Sequence, residues 1–331
     1  MIKPAGPVFA GYFLSTDIPL PALPAGAPDA SRPWLRVYRA SSASVPMAEP
    51  LHWDHQWRGN DGSMNLQVVR LPQARHDDPA RYWLQVPGLC DFVLSPAIGD
   101  VAVAAPDTIA ANTLEHLLLD QAIPRLLAGA GHLVVHASLV RIGDQVIAFL
   151  GHSGWGKSTL AALFHQRSYP ALCDDCVVFE TDAERTSATP SYPGLRLFSD
   201  SIEQALANAG PSDSVSDYSH KQRIIRLGIP PEALGAHPLA AIFLLDDPQQ
   251  GGDRLRIEPI TAAAACMAII EHGFRLNPAE PAESVRQLQS ASTVARNTPA
   301  YLLHNPRDFG QQDALVEGIL DHLANPHHAA R

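Results

Sequence analysis

Residues 151–159 read Gly151-His152-Ser153-Gly154-Trp155-Gly156-Lys157-Ser158-Thr159, which satisfies the spacing G-x-x-x-x-G-K-[ST]. Each fixed position has a chemical reason. Glycines let the backbone curl so that successive N–H groups point at one oxyanion. A helix that starts at the lysine adds the positive end of its dipole. Lys157 reaches toward the β- and γ-phosphates of a nucleoside triphosphate, and the Ser158 hydroxyl suits Mg²⁺. The chemistry implied is phosphate binding. Kinases, ATPases and GTPases all use such a loop, so the loop alone does not name a reaction.

Four further groups of residues bear on that question. His136 lies in Val134-Val135-His136-Ala137-Ser138, shortly before the loop. Asp174-Asp175 follows the loop helix, inside an otherwise apolar run, where a carboxylate can hold Mg²⁺ or accept the proton of an attacking hydroxyl. Asp246-Asp247 ends the apolar run Ala241-Ile242-Phe243-Leu244-Leu245, which is also how a metal-binding Walker B strand reads, so two acid pairs compete for the metal. Cations beyond Lys157 would offset charge in a phosphoryl transition state, and Arg196, Arg223 and Arg307 are the candidates, with Lys221 more simply read as a solvated surface group. Cys173 and Cys176 form a C-x-x-C pair, but residues three apart on a strand point to opposite faces and cannot converge on one metal.

The elements that must position these residues can be read from periodicity. Residues 1 to about 105 carry short apolar runs (34–38, 66–71, 82–86) separated by Pro/Gly/Asn turn signals, which predicts a β-rich N-terminal domain over 1–105. Helical spacing predicts a helix over 113–128. Strands are expected over 133–140 and 145–150, the second running straight into Gly151. A helix from Lys157, strands over 171–180, 239–245 and 300–304, and helices over 261–271, 282–295 and 313–324 complete an α/β domain over 106–331. Residues 205–222 read as a polar loop.

Composition sets limits. The 331 residues carry 24 basic and 34 acidic side chains, a net charge of -10, which argues against nucleic acid or an anionic membrane surface as the main partner. Four cysteines are too few for a disulfide scaffold, no apolar run is long enough for a membrane span, and residues 1–20 lack the apolar core of a signal peptide. A cytoplasmic enzyme is expected.

Taken together, His136, the loop at Gly151 to Ser158 and Asp174-Asp175 resemble, in order and spacing, the core of the HPr kinase/phosphorylase family. The likeness extends to HPr-kinase-related proteins through Pro87-Gly88-Leu89, Pro124-Arg125-Leu126, Tyr192-Pro193-Gly194-Leu195-Arg196-Leu197 and Pro306-Arg307-Asp308, covering most of residues 82–323. The resemblance implies an α/β P-loop domain of the HPr kinase type and ATP with Mg²⁺ as cofactors. It implies Asp174 as the base that activates a serine hydroxyl, Asp175 beside the metal, and His136 in the active site. It thereby favours Asp174-Asp175 over Asp246-Asp247. The partner implied is a serine-bearing peptide or protein, since some relatives phosphorylate precursors of ribosomal peptides, lasso peptides among them. The glutamate-containing signature of true HPr kinases is absent after the aspartate pair, and Tyr192 to Leu197 stands in its place with Arg196 but no glutamate.

Overall fold

The computed structural model describes residues 6–26, 33–40, 52–59, 62–182, 184–197, 213–214, 222–224, 228–248, 254–305 and 311–325. It is a mixed α/β chain with two large mixed sheets and few helices. Two compact units can be distinguished. One comprises Met1–Val134, Ser214–Ser219 and Phe274–Gln287; the other comprises Val135–Asp213, His220–Gly273 and Leu288–Arg331.

The first unit holds a nine-stranded sheet. Strands Met64–Arg70, Tyr82–Val86, Cys90–Ser95 and Asp100–Ala104 run as an antiparallel meander. Trp34–Arg39 then pairs in parallel with both Asp100–Ala104 and Tyr12–Thr16. Alternation places Val69, Trp83, Val93 and Ala102 in one buried cluster on a single face. A polar row crosses the same strands: Gln56 donates to Gln67 at 3.0 Å, Gln67 to Gln85 at 2.5 Å, and Gln85 to Asp91 at 2.9 Å. Each amide in the row donates to the next acceptor along it.

The helix expected over 113–128 is interrupted. Ala111–Leu117 and Ile123–Gly129 are α-helical, but Leu118–Ala122 between them is a wider π turn, closed by the Ile123 N–H bonding to the Leu118 carbonyl. Pro124 accounts for it, because its nitrogen carries no hydrogen and its ring crowds the carbonyl four residues back.

The second unit is built on the strand Gln145–Leu150. That strand is buried from Val146 to Leu150 and pairs antiparallel with Ala137–Ile142 and in parallel with His237–Leu245. The hairpin turns at Gly143, whose φ of 61° is a left-handed conformation that glycine adopts freely. Ala300–His304 extends the parallel run along His237–Leu245, and Ala171–Cys173 flanks Ala137–Ile142. Helices Lys157–Gln166 and Gln312–Ala324 pack on this sheet through Leu160, Phe164, Leu315, Val316 and Ile319, against Phe149 and Phe243. Burying both faces of the central strands explains their continuous apolar character. Among the described residues, no helix is long and apolar enough to cross a membrane.

Two expected strands break at residues that bear chemistry. The strand expected over 133–140 is divided at His136 into Leu133–Val135 and Ala137–Ile142, and the His136 N–H bonds instead to the His272 carbonyl at 2.8 Å. The strand expected over 171–180 is divided into Ala171–Cys173 and Val177–Thr181, with Asp174 and Asp175 in the bend and Asp175 at a φ of 70°. A buried ladder cannot carry two adjacent carboxylates without donors, and the bend brings them to donors.

Candidate functional site

The loop from Gly151 to Gly156 leaves the end of the Gln145–Leu150 strand and enters the helix Lys157–Gln166. A β-carbon on Gly151 would lie 3.2 Å from the Leu245 β-carbon, so the backbone passes tightly over the neighbouring strand there. Gly154 and Gly156 have φ of 82° and 102°, yet a β-carbon on either would meet nothing within 4 Å. They are needed for conformation, and the space over the loop is open. The helix begins at Gly156 with no side chain capping it. Lys157 is buried, and its Nζ donates to the carbonyls of Gly151 at 2.7 Å and His152 at 3.2 Å. Ser158 and Thr159 are half-buried on the first turn, while His152 and Ser153 are exposed. Trp155 lies edge-on to the His152 ring, with centroids 4.5 Å apart. An open glycine loop, a lysine turned into it and an uncapped helix start fit a phosphate group.

The acid pair is held by named donors. Asp174 accepts from the Ser138 hydroxyl at 2.5 Å and from the Arg196 N–H at 3.3 Å. Asp175 accepts from the Arg196 guanidinium at 2.6 Å, and both side chains are buried. The same guanidinium donates to the Tyr192 hydroxyl. His136 lies 3.0 Å through Nδ1 from the Asp175 carbonyl, while its Nε2 stands 3.6 Å from the Asp175 carboxylate. A carbonyl only accepts, so Nδ1 carries the hydrogen. Burial first, and then the charge of Lys157, hold His136 below its ordinary pKa; Asp175 and Asp174 pull it the other way. Lys157, His136, Asp174 and Asp175 therefore share one electrostatic neighbourhood.

Other expected residues are placed differently. Arg196, a candidate phosphate contact from sequence, is committed to Asp175 and Tyr192 inside the protein. Arg223 lies on the strand Gln222–Ile224, opposite Arg196 in register. Arg307 and Lys221 fall outside the described residues. Asp246 follows the His237–Leu245 strand, the parallel neighbour of the strand that feeds the loop, and its carboxylate sits 2.6 Å from Nδ1 of His304. Cys173 and Cys176 are buried free thiols; Cys173 faces the Cys176 carbonyl at 3.4 Å, and burial pushes its pKa up.

Sequence reasoning missed Ser138, Tyr192, Glu271 and His272. Ser138 and Tyr192 are hydrogen-bonding supports for the acid pair. His272 follows the helix Ala262–Glu271 and is buried, with its ring 5.0 Å from that of His152. Burial, then the charges of His152, Lys157 and His136, push its pKa down to about 3. No local pattern marks a histidine that meets the loop from 120 residues further along the chain. Only its place at the end of a helical run was legible.

No family model matches the chain, and no curated protein matches it. Among solved structures it is similar to the HPr(Ser) kinase/phosphatase from Coxiella burnetii, with 13% identity over 58% of this chain and 98% of that one, at a TM-score of 0.30. A superposition that loose carries no weight for function.

Proposed function

We propose that this chain is a kinase that transfers the γ-phosphate of ATP to a serine hydroxyl on a peptide or protein. The observation that supports this best is the meeting of two sets of groups at His136, which feels the charge of Lys157 from one side and of Asp175 and Asp174 from the other. The glycine loop offers a phosphate cradle, and the same neighbourhood holds two buried carboxylates and a histidine kept neutral. A protein that only binds nucleotide has no use for such an acid pair.

In this reading the backbone of Gly151 to Thr159, with His152, Ser153 and Trp155 at its rim, holds the phosphates, and Lys157 offsets their charge. Ser158 and Asp175 would hold Mg²⁺, which when bound neutralises charge on the transferring group. Asp175 would then divide its carboxylate between Arg196 and the metal. Asp174, fixed in orientation by Ser138 and the Arg196 backbone, takes the proton of the acceptor hydroxyl. His136 anchors the Asp175 backbone through Nδ1 and thereby positions the pair.

The test is mass spectrometry of serine peptides after incubation with ATP and Mg²⁺. One added phosphate on serine is expected with the wild type, and none with Lys157→Ala. No phosphate on any peptide, together with transfer to free serine or a sugar, would make the chain a small-molecule kinase instead.

A further inference from the structure

The second residue of the loop is a histidine with no part in cradling phosphate through its ring. His152 Nε2 instead lies 3.1 Å from the Glu271 carboxylate. His272, next in sequence to Glu271, closes the group, and one ligand atom from each of the three residues lies within 4.8 Å of the others. We propose that His152, Glu271 and His272 form a binding site for a divalent transition metal of the zinc class, which pins the glycine loop to the end of the helix Ala262–Glu271.

The chemistry of the three donors selects the ion. Bonds of about 2.0–2.2 Å from zinc to imidazole nitrogen and carboxylate oxygen put tetrahedral ligand atoms roughly 3.3 Å apart. The His152–Glu271 pair is already at that spacing, and a small rotation of exposed side chains brings the third atom in. Two imidazoles disfavour magnesium and calcium, which prefer an all-oxygen shell. Three protein ligands leave a fourth position for water or an anion, the arrangement of an open rather than a purely structural zinc site. Glu271 supplies the ligand set with a negative charge. His272 is buried, and its backbone is held in place because its carbonyl accepts from the His136 N–H.

Pinning has a defined consequence for the loop. The carbonyls that hold Lys157 belong to Gly151 and His152. Fixing the His152 ring therefore steadies the residue that anchors the lysine, and it acts on Trp155, whose ring lies against His152.

Metal binding is independent of the kinase reading and can be tested without nucleotide. Equilibrium dialysis of metal-free protein against Zn²⁺ should give one ion per chain with micromolar or tighter affinity. Hydrogen exchange over residues 151–156 should slow when zinc is bound. Affinity should fall at least about tenfold in His272→Gln and in Glu271→Gln. Glu271 is exposed, so its variant tests the site even if the change at buried His272 disturbs folding. Wild-type binding no tighter than millimolar would overturn the proposal. So would zinc affinity unchanged in Glu271→Gln, or loop exchange that zinc leaves as it was.

Discussion

Arg196 is the residue on which the acid pair depends. Its guanidinium joins Asp175 to Tyr192, and its backbone N–H joins the same point to Asp174. Removing one partner of a buried ion pair leaves the other charged and unsatisfied, at a cost of about 3–5 kcal/mol. Arg196→Ala should therefore lower unfolding free energy by that amount in urea titration. Arg196→Lys should recover only part of it, because an ammonium cannot offer the planar fork that reaches two acceptors. Sequence alone made this arginine a phosphate contact, since an arginine near a phosphate loop and an arginine beneath an acid pair look identical as letters. The distinction lies in burial, which comes from the Leu195–Leu197 strand and not from the residue.

At the scale of elements, the turn from strand to helix at residues 151–157 is readable from adjacent letters, because it rests on the local backbone freedom of Gly151, Gly154 and Gly156. Gly156 has a φ of 102° and open space about its missing β-carbon, so Gly156→Ala meets no clash but strains the backbone by about 1–3 kcal/mol. If the loop binds nucleotide as proposed, Gly156→Ala should also weaken that binding at least about tenfold, by disturbing the conformation that would aim the loop's N–H groups at a phosphate. Gly143→Ala, at a left-handed turn elsewhere in the same sheet, should cost similar stability and leave nucleotide affinity unchanged, as calorimetric titration of both variants would show. The broken strands were not readable. Residues 171–180 have strand composition, and only the tertiary demand for donors around Asp174 and Asp175 bends the chain there. The Pro124 π turn is an intermediate case, in which the proline was visible but a kinked helix and a widened one could not be told apart in advance.

At the scale of the whole molecule, the pH response follows from histidines held neutral. His272 sits at about 3, against an ordinary 6.5, and His136 is shifted in the same direction. Between those values the unfolded chain binds a proton that the folded chain does not, so stability rises with pH through that window and is lost as pH falls below 6.5. The Tm of metal-free protein should therefore drop steadily from about pH 7 to about pH 4, and drop less in His272→Gln, as differential scanning calorimetry would show. The β-rich half was legible as a class, because alternation and turn residues recur through it, but its parallel pairing across Trp34–Arg39 joins segments too far apart for any local signal. Whether the loop and the acid pair form one phosphotransfer site is tested by comparing ATP affinity and the rate of γ-phosphate transfer to a serine peptide in wild type and Asp174→Asn. A single site gives unchanged ATP affinity with transfer slowed about 10²–10⁴-fold, the share a positioned base contributes. Transfer at the wild-type rate in Asp174→Asn, or a wild type that binds no ATP, would contradict it.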